Sequence, residues 1–173
     1  MDVGTAQLGE RIKAKAHELG FCKVGFATMD DLPRVSGEAV RRGYPGFFQD
    51  LIEEGSHPRN IYAEGKSVIV LAYDYARHRY PGNLLPHIAR FYLSRAYLPL
   101  DGTPARDRMD AFEAFLESEG IGFEFGRNTL MMRPAALRAG VASFGRNNFS
   151  YVDRKSTRLN SSHTTVSRMP SSA

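Results

Sequence analysis

Leu8, Ile12, Ala16 and Leu19 recur at helical spacing, with Glu10, Arg11, Lys13, Lys15 and Glu18 between them. Gly20 stands where such a helix would stop, so the pattern predicts an amphipathic helix over 5–19. From Phe21 to Met29, apolar residues alternate with small or polar ones, as in a short strand packed on that helix. Pro33, Gly37, Gly43, Pro45, Gly46, Gly55 and Pro58 then fall too close together for long elements, and Phe47, Phe48, Leu51 and Ile52 suggest one short helix among them. The run 66–73 is the most apolar of the chain, β-branched at its centre and preceded by Gly65. It predicts a central strand buried on both faces.

Helical character returns over 83–97 after Pro86, where Ile88, Phe91, Tyr92 and Arg95 give a mixed apolar and basic surface. Thr103 and Pro104 form an N-cap and first-turn pair. Met109, Phe112 and Leu116 follow at helical spacing and Gly120 closes the segment, which predicts a helix over 104–119. Residues 121–125 read as a strand, 133–138 as a short helix beginning at Pro134, and 148–152 as the start of another strand. The alternation predicts an α/β fold: a single layered domain over 1–153, with a mixed sheet flanked by helices.

Residues 154–173 differ in kind. They hold nine Ser or Thr in twenty residues, and their large apolar groups are Leu159, Val166 and Met169. So little burial cannot offset the cost of ordering, and a disordered tail is expected. Its words STRLNSSHTT and SRMPSSA also resemble translated adapter or linker sequence, in which case the natural protein continues differently past Asp153; the alternative is a native flexible tail.

The tail changes how the charge is read. The chain has 23 Lys and Arg against 19 Asp and Glu, a net charge of +4 and a pI near 9.3. Arg154, Lys155, Arg158 and Arg168 lie in the tail, and without them 19 basic residues face 19 acidic ones. The body is formally neutral, which weakens a reading as a nucleic-acid-binding protein. Neither a signal-like N-terminus nor a long apolar run is present, so a cytoplasmic protein without a membrane anchor is expected.

Cys22 is the single cysteine, which excludes an intramolecular disulfide and any iron–sulfur cluster held by this chain's own thiolates. In its strand position it is expected to be a small buried hydrophobe. His17, His57, His78 and His87 are scattered without metal-ligand spacing, and no metal site is expected. Residues 140–147 (GVASFGRN) superficially follow the phosphate-cradling GxxxxGK[ST] loop, but Arg146 and Asn147 supply neither its Lys nor its Ser or Thr. An NTPase is excluded. Arg90 and Arg95, beside Tyr92 and Tyr97, form either a surface for a cofactor's phosphate or amides, or a solvated basic edge with core-facing aromatics.

Ala139-Gly140 followed by Gly145-Arg146-Asn147 resembles the AGxGxxGKN segment of epoxyqueuosine reductases, cobalamin-dependent iron–sulfur enzymes. The resemblance extends in order through Gly20-Phe21, Gly25, Pro58-Arg59, Lys66 to Val70, and Ile88-Ala89-Arg90-Phe91, where that family has an ARY-type segment. It implies an N-terminal domain that holds a corrinoid against an iron–sulfur domain with two cysteine-rich motifs, which this chain does not contain. Gly140, Gly145, Arg146, Asn147, Asn148, Arg90 and Tyr97 are then the expected cofactor-binding residues. A Gly-rich turn would let backbone amides approach the macrocycle, and the Arg and Asn side chains could bond its peripheral amides; a purely structural turn is the alternative.

Two departures bear on catalysis. Ala96-Tyr97-Leu98 stands where the family has DYH, and Gly126 falls where it has the Asp of a VDTAP-like segment, regarded as the proton donor. Glu124 is a nearby carboxyl without an assigned role, and no catalytic residue is designated. The resemblance thus implies a fragment of a cobalamin-dependent oxidoreductase of tRNA queuosine modification, inactive alone, with tRNA as a partner of the complete protein. The substrate stays open, since the related reductive dehalogenases act on other molecules. A non-catalytic corrinoid- or flavin-binding module is the alternative.

Overall fold

The computed structural model describes residues 3–32, 37–38, 40–94, 100–125, 132–144, 150–152 and 162–167, with backbone alone for Val3 and 162–167. The first helix, α1, spans Val3–Glu18 and buries Ile12 and Ala16, with Leu8 and Leu19 packed at the core's margin. Gly20 ends it at φ 90°, where its N–H donates to His17 O (2.9 Å) and the Phe21 N–H to Ala16 O (3.0 Å). This paired ending needs a left-handed residue, and glycine adopts that conformation without a Cβ clash.

The same ending closes two more helices. In α5, Pro104–Ser118, the Gly120 N–H donates to Glu117 O and the Ile121 N–H to Leu116 O. In α6, Met132–Arg138, the Gly140 N–H donates to Leu137 O and the Val141 N–H to Ala136 O. Each glycine is followed by a buried apolar residue, Phe21, Ile121 or Val141, which anchors the chain as it turns. At the opposite end of α5, Thr103 Oγ1 accepts from the Arg106 N–H (3.3 Å), the cap read in the sequence.

A four-stranded sheet runs in the order β1-β2-β6-β3, formed by Lys23–Thr28, Ser67–Ala72, Ser162–Ser167 and Phe123–Phe125. A separate two-stranded pair joins β4, Ser143–Phe144, to β5, Ser150–Tyr151. The layered α/β architecture is as expected, but all the described strand pairs are antiparallel where a mixed sheet was expected. Thr28 stands opposite Ser67, so the long connection between β1 and β2 begins and ends at one end of the sheet and β2 must run back.

β2 is buried on both faces, as its composition predicts. Ile69 and Leu71 join Ile12, Ala16, Phe21, Met109, Phe112 and Leu116 beneath α1 and α5. Val68, Val70 and Ala72 join Ala27, Met29, Ala135, Ala136 and Val141 beneath α6. Gly25 of β1 lets α6 come this close: a Cβ there would lie 2.3 Å from Ala139 O and 2.7 Å from Val141 Cγ2.

Three further expectations are corrected. The helix expected over 83–97 is reduced to α4, Arg90–Ser94, because Pro81, Gly82 and Pro86 hold the preceding residues in turns; 95–99 lie outside the described residues. The short helix around Phe47 is longer, α2 spanning Gly46–Ser56, and is followed at once by α3, Pro58–Ile61. Finally, 162–167 pairs as β6 between β2 and β3, although 154–173 was expected to contribute no element. Thr and Val suit extended backbone, and pairing on both sides satisfies the main chain whatever the side chains are. The rest of that segment lies outside the described residues.

Candidate functional site

The chain leaves β2 through Tyr73, which is buried, and enters an aromatic and basic stretch, Tyr-Asp-Tyr-Ala-Arg-His-Arg-Tyr, at 73–80. Asp74 caps a 3₁₀ turn, Tyr75–Arg77, by accepting from the Ala76 N–H (2.9 Å). Tyr73 Oη and His78 Nε2 share a hydrogen bond. The Arg108 guanidinium of α5 lies 4.2 Å from the centre of the Tyr73 ring, and its Nε donates to Leu19 O (2.8 Å). Arg77 Nη1 donates to Gly20 O (3.3 Å), so two arginines tie this corner to the end of α1.

The Tyr80 hydroxyl donates to Tyr75 O (2.7 Å), and Tyr75 meets Phe91 of α4 with ring centres 6.1 Å apart. Burial, followed by the neighbouring Tyr73, pushes the Tyr80 phenol above its ordinary range, while a hydrogen bond with Ser94 and the Arg90 charge oppose the shift. Arg90 opens α4 exposed to solvent, with Tyr92 exposed nearby. An exposed guanidinium beside aromatic rings suits an anionic group carried on a flat ligand.

Gly140, the other described member of the expected set, lies across the sheet at the end of α6. Its left-handed φ of 67° is required by the helix ending, and nothing described lies within 4 Å of where its Cβ would be. The chain continues into β4, and β5 leads to Val152, whose carbonyl accepts from Lys23 Nζ (3.3 Å). Lys23 stands opposite Ala72, so this strand pair reaches the same end of the sheet as the Tyr73 corner. Gly145, Arg146, Asn147, Asn148 and Tyr97, and Gly126 where the family's Asp was expected, lie outside the described residues. Ser150 Oγ is buried with no partner among the described residues.

Cys22 is exposed, contrary to expectation, because it precedes β1 instead of lying within it. Its Sγ still turns toward Ala72 O (3.3 Å), and partial desolvation, then the Asp74 carboxylate, raises the thiol above its ordinary value. That disfavours the nucleophilic thiolate at neutral pH. His57 sits between two carboxylates, Nδ1 3.1 Å from Asp31 and Nε2 3.0 Å from Glu53. Bonds to Glu53 and then Asp31 raise its pKa. The carboxylates flank opposite ring nitrogens and therefore do not converge as metal ligands. Among the described residues no group of three or more His, Cys, Asp or Glu could hold a metal ion. No described helix is long and apolar enough to cross a membrane.

Sequence reasoning singled out Arg90 but missed Tyr73, His78, Tyr80 and Arg108. The alternation of aromatic and basic residues over 73–80 was the available signal; Arg108 had none, since it reaches this corner only through the fold.

No family model matches the sequence, and no curated protein does. Solved structures do match in fold. An epoxyqueuosine reductase bound to an epoxyqueuosine-modified tRNA-Tyr stem loop superposes with a TM-score of 0.71 at 23% identity, over 95% of this chain and 46% of that one. The Bacillus subtilis epoxyqueuosine reductase, with its catalytic aspartate loop swung out of the active site, gives 0.69 at 22% identity over 96% and 46%. The Streptococcus thermophilus enzyme gives 0.65 at 20% over 95% and 46%. The chain therefore shares the fold of one part of these enzymes and spans about half their length.

Proposed function

We propose that this chain is the corrinoid-binding part of an oxidoreductase resembling epoxyqueuosine reductase, and that the electron-relay clusters belong to a second part. The observation that carries this reading is the shared fold, which runs along 95% of the chain while covering 46% of the neighbour. The described residues fit a bulky ligand with polar edges. Among the described residues nothing lies within 4 Å of where a Gly140 Cβ would be and Ser150 Oγ is buried without a partner, while Arg90 is exposed with its charge acting on Tyr80.

A bound cobalamin would supply the low-potential reducing chemistry. The chain's own work is to hold and orient it. Arg146, Asn147 and Asn148 would donate hydrogen bonds to carbonyl groups at the macrocycle's edge, Arg90 would pair with its phosphate, and Tyr97 would add aromatic contact. With Cys22 as its single cysteine, the chain cannot itself ligate an iron–sulfur cluster through the usual set of thiolates. tRNA is proposed as a partner of the complete protein, on the strength of the stem loop bound by the neighbour.

Titration of the whole chain with cobalamin tests the reading. Saturable change in the visible absorption is expected, with about 2.7 kcal/mol of stabilisation at roughly a hundredfold excess over Kd. An unchanged spectrum together with an unchanged thermal midpoint refutes it. Gly126 at the position of the family's acid favours a second reading, a module that binds a corrinoid or a flavin without turnover. Binding of flavin in preference to cobalamin would select that reading.

A further inference from the structure

α2 leaves most of its large side chains in water. Gly55 and Ser56, at its C-terminal end, are buried, and the Leu32 N–H donates to Ser56 O (2.8 Å), so the body grips this helix by one end. Toward its start Phe47 is 67% exposed and Phe48 45%, with ring centres 4.5 Å apart. Leu51, one turn on, and Tyr44, just before the helix, are exposed as well. Apolar side chains grouped in this way mark a contact surface. An isolated helix of 11 residues is marginal in water, so covering this face would also stabilise the helix itself.

The charges around the patch are segregated. On the N-terminal side, Arg41 and Arg42 share the carboxylate of Glu38, two guanidinium groups against one acid. On the C-terminal side stand Asp50, Glu53 and Glu54, and the helix has no Lys or Arg. Glu53 is engaged with His57, whereas helical spacing sets Asp50 and Glu54 along one border of the Phe47–Leu51 row. Counted outward from between Phe47 and Phe48, Tyr44 and Leu51 are equally distant, and so are Arg41 and Glu54. The segment therefore matches its own reverse, apolar against apolar and basic against acidic. Such self-complementarity is what a twofold interface between identical chains requires. A parallel pair, or a partner of uniform charge, would set like charges together at one end.

We propose that α2 is a dimerisation helix whose occupant is α2 of a second copy of this chain, antiparallel about a twofold axis between Phe47 and Phe48. The two phenylalanines would pack on the same pair of the other copy, with Leu51 against its Tyr44 and Glu54 toward its Arg41. One short helix per copy covers less than the roughly 800 Å² per partner of a standard interface, so a Kd of about 1–100 μM is expected. The proposal rests on exposure and charge placement alone, independently of any corrinoid.

Sedimentation equilibrium of the whole chain, from about 1 to about 300 μM, should show a reversible monomer–dimer equilibrium. Phe47→Ser/Phe48→Ser should weaken it at least about hundredfold, since four rings leave the interface. Circular dichroism and the thermal midpoint of the dilute monomer should stay unchanged in that variant, because both rings are exposed. Arg41→Glu should weaken the dimer about fivefold, and Arg41→Glu/Glu54→Arg should restore it, a rescue that an unspecific apolar contact does not give. Monomer at every concentration overturns the proposal and leaves the face to another occupant, the protein's own continuation past Asp153 included. A dimer indifferent to loss of both rings overturns it too. Absence of rescue by the charge exchange overturns the antiparallel pair.

Discussion

β2 and β6 are neighbours in one sheet with matched backbone pairing, but they were built from opposite materials. Ser67–Ala72 buries five consecutive residues between two helical layers. Ser162–Ser167 offers hydroxyls and an imidazole at the adjoining positions. Backbone hydrogen bonding can place a strand, whereas apolar side chains decide what that placement contributes to stability. The half of the sheet containing β1 and β2 should therefore carry most of the folding energy, and the half containing β6 and β3 little.

The contrast can be broken most forcefully at Gly25. Gly25→Ala puts a methyl 2.3 Å from Ala139 O, which must separate α6 from β1. A loss above about 4 kcal/mol is expected in denaturant unfolding, or failure to fold. Leu71→Ala empties a fully buried site between α1, α5 and the sheet and should cost about 3 kcal/mol. Phe123→Ala removes a larger side chain from the poorer half and should nevertheless cost only about 1 kcal/mol, because the ring is half-buried. Equal losses at Leu71 and Phe123 would erase the distinction.

His57 gives the smallest effect and a control lying in neither half. Its folded-state pKa is raised by Glu53 and Asp31, so the protonated ring is favoured in the folded chain. The resulting stabilisation is complete below the ordinary histidine value of 6.5 and is lost as pH rises through the raised midpoint. NMR titration should place the His57 midpoint above 6.5 in the wild type and lower it in Glu53→Gln. An unmoved midpoint in that variant would remove Glu53 as the principal cause.

Much of this architecture was legible in the sequence. β2 announced itself because a strand buried on both faces cannot be polar anywhere along its centre. Two helix ends could be read because Gly20 and Gly120 stand just past the last residues of a helical period, whereas Gly140, which ends a third helix, was read only as part of a Gly-rich turn. The register of β6 was hidden, since a Ser- and Thr-rich segment carries no hydrophobic period to reveal it. Strand direction was hidden too, because it depends on where the connection of 29–66 returns. At the candidate site, Arg90 was found from its aromatic neighbours. Tyr73 was read only as the end of a strand, and its meeting with Arg108 is a product of tertiary packing.

Gly25 has a bearing on any ligand held after α6. The absent methyl determines how low the end of that helix rides on the sheet, and so the height at which the following strand pair begins. The dimensions of a binding surface there would be set from behind, by a residue that never meets the ligand. Evolution or an engineer could retune such a surface by changing its foundation while leaving every lining side chain alone.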